Sequence, residues 1–391
     1  MEFTERVRGS LLGGALGDAL GWPVEFLQLP QIEERYGPAG LADLADAGRG
    51  GQVTDDTQMT LFTAEGLLRG GRPEDLHAAY ARWFLTQRLP GPVRDADGWL
   101  ARQEFLYASR APGGACMSGV ATAYRPAAPF GQDGPVNPHS KGCGTVMRSA
   151  PFGLLELGPR EAFRRAAVAA QLTHGHPTGY LAAGAFAALV DRVAAGVPLP
   201  AAVDAVLAQV GAEPSGEETA AALRRAVRVA GEGPGSAAGV ERVGLGWIAE
   251  ECLAVAVYAA LAGADARAAL VLSVNHSGDS DSTGAVCGNL VGALYGAAGL
   301  PADWCALVEG REVLLRVADD LAAFARGDLA ALGDRYPAAG APAPEPEPES
   351  ARETEPDPAP TPEPDPVVRR AAAPVAPADP ATGRTRFRQR D

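Results

Sequence analysis

The chain almost lacks lysine. Lys141 stands alone among 391 residues, and arginine carries the rest of the positive charge. Acidic residues outnumber basic ones, giving a formal net charge of −14. Binding nucleic acid through its phosphates needs a basic footprint, so nucleic acid is not an expected partner except as a modified substrate. Aromatics are only 6% of the chain, which leaves packing between elements to small and aliphatic side chains. No stretch approaches the roughly 18 apolar residues of a membrane span. The first residues, Met1-Glu2-Phe3-Thr4-Glu5-Arg6, lack the apolar run of a secretory signal. The five cysteines (Cys116, Cys143, Cys252, Cys287, Cys305) are scattered, with no CxxC pair. That spacing argues against a zinc site or a disulfide framework, and a reducing cytoplasm is the expected location.

What the chain does have is helix-forming apolar residue. Hydrophobic types make up 47%, led by Ala, Leu and Val, a composition that favours helices over sheets. Helical periodicity recurs over 4–20, 56–69, 73–86, 160–172, 178–195, 201–210, 217–229, 247–262, 264–274, 283–298 and 303–324. Val271-Leu272-Ser273-Val274 continues a helical pattern rather than starting a strand. The expectation is an all-α fold, a single compact multi-helix domain over 1–336. Gly9, Gly13 and Gly17 recur every four residues. Such spacing permits close helix contact, although each interior Gly costs roughly 1 kcal/mol against Ala. The longest irregular stretch, 125–144, is the expected site-forming loop. From Pro337 the composition turns to Pro, Ala and Glu, with a weakly basic end from Arg384 to Arg390. Residues 337–391 cannot bury enough apolar surface to offset their ordering entropy and are expected to form a disordered tail.

Two acidic clusters each stand directly before a helical pattern: Thr54-Asp55-Asp56-Thr57, and Gly278-Asp279-Ser280-Asp281-Ser282-Thr283. Either is readable as helix capping, with the aspartates facing the positive end of the helix dipole. A cap needs one oxygen, however, and each cluster carries two carboxylates beside a hydroxyl. If the two helix starts face each other, four carboxylates converge and cannot all ionise without a cation. Oxygen ligands of this kind suit Mg²⁺, Mn²⁺ or Ca²⁺ rather than zinc. Glu25, between a proline and an aromatic past a helix end, reads equally as a loop residue or as a carboxylate at the site. His174 and His176 form a His-x-His pair, a weak metal signal on its own, and His176 suits a helix start. Arg148 fits a ligand contact and a structural pair equally well. Cys143 has no evident basic partner to make it a nucleophile.

Five separated segments together resemble the ADP-ribosylglycohydrolase family. They are Gly9-Ser10-Leu11-Leu12-Gly13-Gly14-Ala15-Leu16-Gly17-Asp18-Ala19-Leu20-Gly21, the Thr54–Thr57 cluster, Gly142-Cys143-Gly144-Thr145-Val146-Met147-Arg148, Thr173-His174, and Asn275-His276-Ser277-Gly278-Asp279-Ser280-Asp281-Ser282-Thr283-Gly284. The resemblance spans about residues 5–325 and omits the tail. It implies an all-α enzyme that hydrolyses the bond between ADP-ribose and an acceptor, with two divalent cations, Mg²⁺ or Mn²⁺. By position, Thr54, Asp55, Asp56, Asp279, Asp281 and Ser282 would hold the metals. Gly142, Cys143, Gly144, Arg148 and His174 would contact the ligand, and Glu25 or Asp56 would act as base. The expected partner is an ADP-ribosylated protein or an ADP-ribose-containing small molecule. Where the family commonly has Asn, this chain has Cys143, which leaves the acceptor open. Two other readings compete: a relative that binds ADP-ribose without cleaving it, and a phosphatase using Asp279-Ser280-Asp281-Ser282-Thr283 as a D-x-D-x-T motif. The second lacks a preceding apolar strand and a downstream lysine.

Overall fold

The structure is a computed structural model and describes residues 1–94 and 96–337. Among these residues the regular elements are helices: α1 (Phe3–Gly21), α2 (Leu29–Tyr36), α3 (Asp55–Leu68), α4 (Pro73–Thr86), α5 (Gly114–Val120), α6 (Pro159–Ala170), α7 (Pro177–Ala194), α8 (Leu199–Gly211), α9 (Glu217–Ala230), α10 (Ala237–Val243), α11 (Ala249–Ala262), α12 (Ala266–Val274), α13 (Ser280–Tyr295), α14 (Ala302–Leu307) and α15 (Arg311–Ala325). No strand occurs among the described residues, only one isolated antiparallel bridge between Gly142 and Ile248. The all-α expectation holds, and no described helix is long and apolar enough to cross a membrane.

Two glycine stripes set the centre of the fold. A Cβ placed on Gly9, Gly13 or Gly17 of α1 would lie 2.3, 2.2 and 1.9 Å from the carbonyl oxygens of Gly292, Gly288 and Gly284 on α13. The pairing runs in opposite directions along the two helices, so they are antiparallel with backbones in contact. Here the cost of interior glycine is offset by an approach that no side chain would permit. Because the pair is antiparallel, the last turn of α1 lies beside the first turn of α13. A Cβ on Gly21 would meet the Ser280 carbonyl oxygen at 2.2 Å.

Helices α1, α3, α7, α11 and α13 are buried on nearly every side. Helices α4, α6 and α9 bury one stripe and expose the other, as surface helices do. Burial of the central helices makes each polar group inside them informative, since a buried charge needs partners. Asp18, fully buried in α1, has them. It accepts hydrogen bonds from the backbone amides of Thr54 (3.0 Å) and Thr57 (3.1 Å) and from the Thr57 hydroxyl. One carboxylate thus ties the start of α3 to the end of α1.

Several boundaries differ from the periodicity. The single helix expected over 303–324 is two, α14 and α15, because Gly310 adopts a left-handed φ of +69° between them. The helix expected to start at Trp247 begins at Ala249, after an extended Ile248. Helices α2, α5 and α10 were not expected, being short and weakly patterned. The 125–144 loop is only in part a site loop: Phe130 packs on Phe163 and Tyr180, and just its last residues reach the cavity described below. Tyr336, where the composition changes, is buried and donates to Asp320 at 2.9 Å. The expected tail lies, beyond Pro337, outside the described residues.

Candidate active site

Three helix ends converge at one end of the α1–α13 pair. The chain leaving α1 turns through Trp22–Val24 and delivers Glu25; the start of α3 delivers Asp55 and Asp56; the start of α13 delivers Asp279 and Asp281. All five acids are more than nine-tenths buried and line one cavity of about 290 Å³. Oxygens of Glu25, Asp279 and Asp281 come within 4.8 Å of one another. The convergence that the sequence left conditional is thus present.

The hydrogen bonds of these acids are incomplete. Asp55 accepts from the Gly113 amide at 3.2 Å, and Asp281 from the Ser282 amide at 2.9 Å. Asp279 accepts from the Ser282 amide at 3.4 Å and from the Cys143 thiol at 2.8 Å. Asp56 Oδ2 and Glu25 Oε2 are buried with no partner. Burial, and then mutual repulsion with Asp279, Asp55 and Asp18, pushes Glu25 up to about 8. Burial likewise takes Asp55 to about 8, and Asp56 and Asp281 well above their ordinary range. Crowded acids with unfilled oxygens and no lysine or arginine among the cavity-lining residues fit a hard cation. Thr54, buried directly before Asp55 at the same helix start, is not itself among the cavity-lining residues. Its hydroxyl caps α3 by accepting from the Asp56 amide at 3.3 Å.

The opposite wall is Gly142–Gly144 with His174 behind it. A Cβ on Gly144 would sit 2.7 Å from Cys116 Sγ and 3.1 Å from His174 Cε1, so only glycine lets this loop close on the imidazole. The Cys143 amide is held by the Trp247 carbonyl at 3.2 Å. Arg148 lies behind the wall rather than in the cavity. It donates to Thr173 Oγ1 at 2.6 Å and to Cys116 Sγ at 3.3 Å, with its guanidinium 4.6 Å from the centre of the Tyr80 ring. His176 caps α7 through its Nδ1, as its position before a helix suggests. At the rim, Phe26 and Trp247 are stacked 5.9 Å apart and exposed.

Sequence reasoning passed over Asp18, Trp247 and the 111–116 segment. An aspartate inside an otherwise apolar helix is the signal that marks Asp18. The other two carry no local signal. A larger groove of about 950 Å³ crosses α1, α14 and α15. Several of its charged residues pair with each other, Arg8 with Glu5 and Asp319, Arg311 with Glu312, and it holds none of the acid cluster.

Comparison with known proteins meets this geometry. The family model for ADP-ribosylglycohydrolase matches residues 1–330. The chain belongs to the ADP-ribosylglycohydrolase family. An uncharacterised protein of Archaeoglobus fulgidus is 30% identical over 81% of this chain and 96% of its own length. The ADP-ribosyl-[dinitrogen reductase] glycohydrolase of Rhodospirillum rubrum is 27% identical over 77% of this chain and 89% of its own. An ADP-ribosylarginine hydrolase of Pseudomonas putida is 26% identical, covering 81% and 78%. Among solved structures, an ADP-ribosylglycohydrolase-related protein complex superposes with a TM-score of 0.59 at 28% identity, covering 83% of this chain and 99% of that one. Membership in the ADP-ribosylglycohydrolases supports a hydrolase at family level. The D-x-D-x-T segment opens a helix and follows no strand in the described residues, unlike its phosphatase counterpart.

Proposed function

We propose that this chain hydrolyses the glycosidic bond joining ADP-ribose to an acceptor, a protein side chain or a small molecule, and needs divalent cations to do so. The supporting observation is the pair of buried, partnerless oxygens, Asp56 Oδ2 and Glu25 Oε2, within a five-carboxylate cluster. Asp55, Asp56, Asp279 and Asp281, with Thr54 and Ser282 at the same helix starts, would hold two ions, Mg²⁺ or Mn²⁺. Bound ions supply Lewis acidity toward sugar hydroxyls and ease deprotonation of water.

The chain's own residues do the rest. Breaking a ribosyl bond builds positive charge on the sugar, as in glycoside hydrolysis, and the cluster places negative charge around the cavity. Glu25, whose Oε2 is buried without a partner, takes a proton from the attacking water; Asp56, with its own free Oδ2, is the alternative base. The glycines at 142 and 144 let the backbone approach a pyrophosphate closely. His174 offers that ligand a hydrogen-bond donor from the cavity wall.

Titration calorimetry of ADP-ribose, with Mg²⁺ or Mn²⁺ and then with EDTA, tests the reading. Ion-dependent binding followed by release of ADP-ribose from a modified acceptor supports it. Binding without release favours the non-catalytic relative, and no binding with either ion removes ADP-ribose as the ligand.

A further inference from the structure

Cys143 lies within the acid cluster, where the hydrogen bonds of its thiol join it to an acid and a hydroxyl and none joins it to a basic side chain. Its Sγ is 2.8 Å from Asp279 Oδ2 and 3.5 Å from Ser282 Oγ, and it lines the same cavity as Glu25 and Asp56. No nucleophilic role is expected of it, and the structure adds none: its Sγ contacts a carboxylate and a hydroxyl. Asp279 and Ser282 are themselves expected ligands of a cation. The partnerless Asp56 Oδ2, on a side chain 3% exposed, shows independently that the cavity has unfilled capacity for one.

We propose that Cys143 is a sulfur ligand to a divalent cation at Asp279 and Ser282, biasing the site toward Mn²⁺ and other sulfur-tolerant ions and away from Mg²⁺. The proposal rests on the ion-dependent reading above. With ligands at right angles, as around an octahedral ion, metal–sulfur bonds of about 2.3 Å and metal–oxygen bonds of about 2.1 Å place neighbouring ligand atoms about 3 Å apart. Cys143 Sγ and Asp279 Oδ2 already have nearly that separation. On coordination the S–H bond breaks, a sulfur–metal bond forms, and the proton passes to solvent, since a coordinating thiol is deprotonated. Carboxylates alone suit Mg²⁺ and Mn²⁺ alike, whereas thiolate is disfavoured by Mg²⁺. The residue that replaces the family's usual asparagine would therefore change which metal serves.

The test is a Co²⁺ titration of the full-length protein, read in the near ultraviolet for a thiolate-to-cobalt charge-transfer band. Calorimetry runs alongside to count bound ions. Cys143→Ser, Cys143→Asn and Cys116→Ser serve as variants, the last because Cys116 also lines the cavity. The expected result is a band in the wild type and in Cys116→Ser that is absent from both Cys143 variants, which still bind cobalt. The preference for Mn²⁺ over Mg²⁺ should also fall about tenfold in Cys143→Asn, the scale on which groups supporting a metal act. Cobalt bound without a band, or a band that survives in Cys143→Ser, overturns the assignment. No ion bound to the wild type overturns the ion-dependent reading itself, and this ligand with it.

Discussion

Thr173 Oγ1 lies 2.7 Å from His174 Nδ1 and, on its other side, receives a hydrogen bond from Arg148 at 2.6 Å. Two acceptors are in reach of the single hydroxyl proton of Thr173, His174 Nδ1 at 2.7 Å and the Ala170 carbonyl oxygen at 3.4 Å, and the nearer takes it. That makes Nδ1 the acceptor and leaves the proton of the neutral ring on Nε2, the nitrogen nearest Gly142. Burial, and then the charge of Arg148, lowers His174 to about 3, so the ring stays neutral. Arg148 thus acts through Thr173 to aim a donor into the cavity. Thr173→Val should release the tautomer, visible in the nitrogen shifts of His174. It should also weaken ADP-ribose binding about five- to tenfold, the worth of roughly one hydrogen bond. An unchanged tautomer would remove Arg148 and Thr173 from that role.

Asp281→Asn keeps the size of the side chain and removes one negative charge from the cluster. Ion-dependent turnover should fall about 100-fold or more, with ion affinity falling in parallel. Calorimetry with Mn²⁺ and an ADP-ribose release assay check both. Full activity in this variant would be incompatible with the metal assignment.

Glu25 and Asp55 each bind a proton in the folded, metal-free protein up to about pH 8, against about 4 when unfolded. Between those limits the two acids give the native state more protons; the lowered His174 and His276 oppose them only below about pH 6.5, so through the window from there to about pH 8 stability falls as pH rises. In EDTA the unfolding midpoint should therefore drop by a few degrees or more from the lower end to the upper. Adding Mn²⁺ at pH 8 should restore it, because the ion replaces the protons. A midpoint that rises with pH in EDTA would count against the buried acid cluster.

Gly17→Ala puts a methyl group 1.9 Å from the Gly284 carbonyl oxygen. The neighbour there is helix backbone, which cannot turn aside as a side chain can. The variant should lose about 1–3 kcal/mol or more of unfolding free energy. Gly233→Ala, with nothing within 4 Å of its Cβ, should lose less than about 1 kcal/mol. Chemical denaturation separates the two, and equal losses would remove the glycine stripe as the organiser of the centre.

Much of this protein was decided along the chain itself. Apolar residues at helical spacing made it all-α, because each helix closes its own backbone hydrogen bonds locally. Thr54-Asp55-Asp56 and Asp279-Ser280-Asp281 were visible as paired acids at helix starts, and the four-residue glycine spacing announced a close contact without naming its partner. Short helices such as α5 and α10 left little pattern to read, and a left-handed Gly310 divided one apparent helix in two. Tertiary structure decided what faces what. Only the antiparallel contact of α1 with α13, and the tie from Asp18 to α3, bring acids more than 200 residues apart in the chain into one cavity. It also turned Arg148 inward onto Thr173 and set the Cys143 thiol against Asp279. Such contacts depend on distance across the fold, a quantity that local propensity and spacing do not carry.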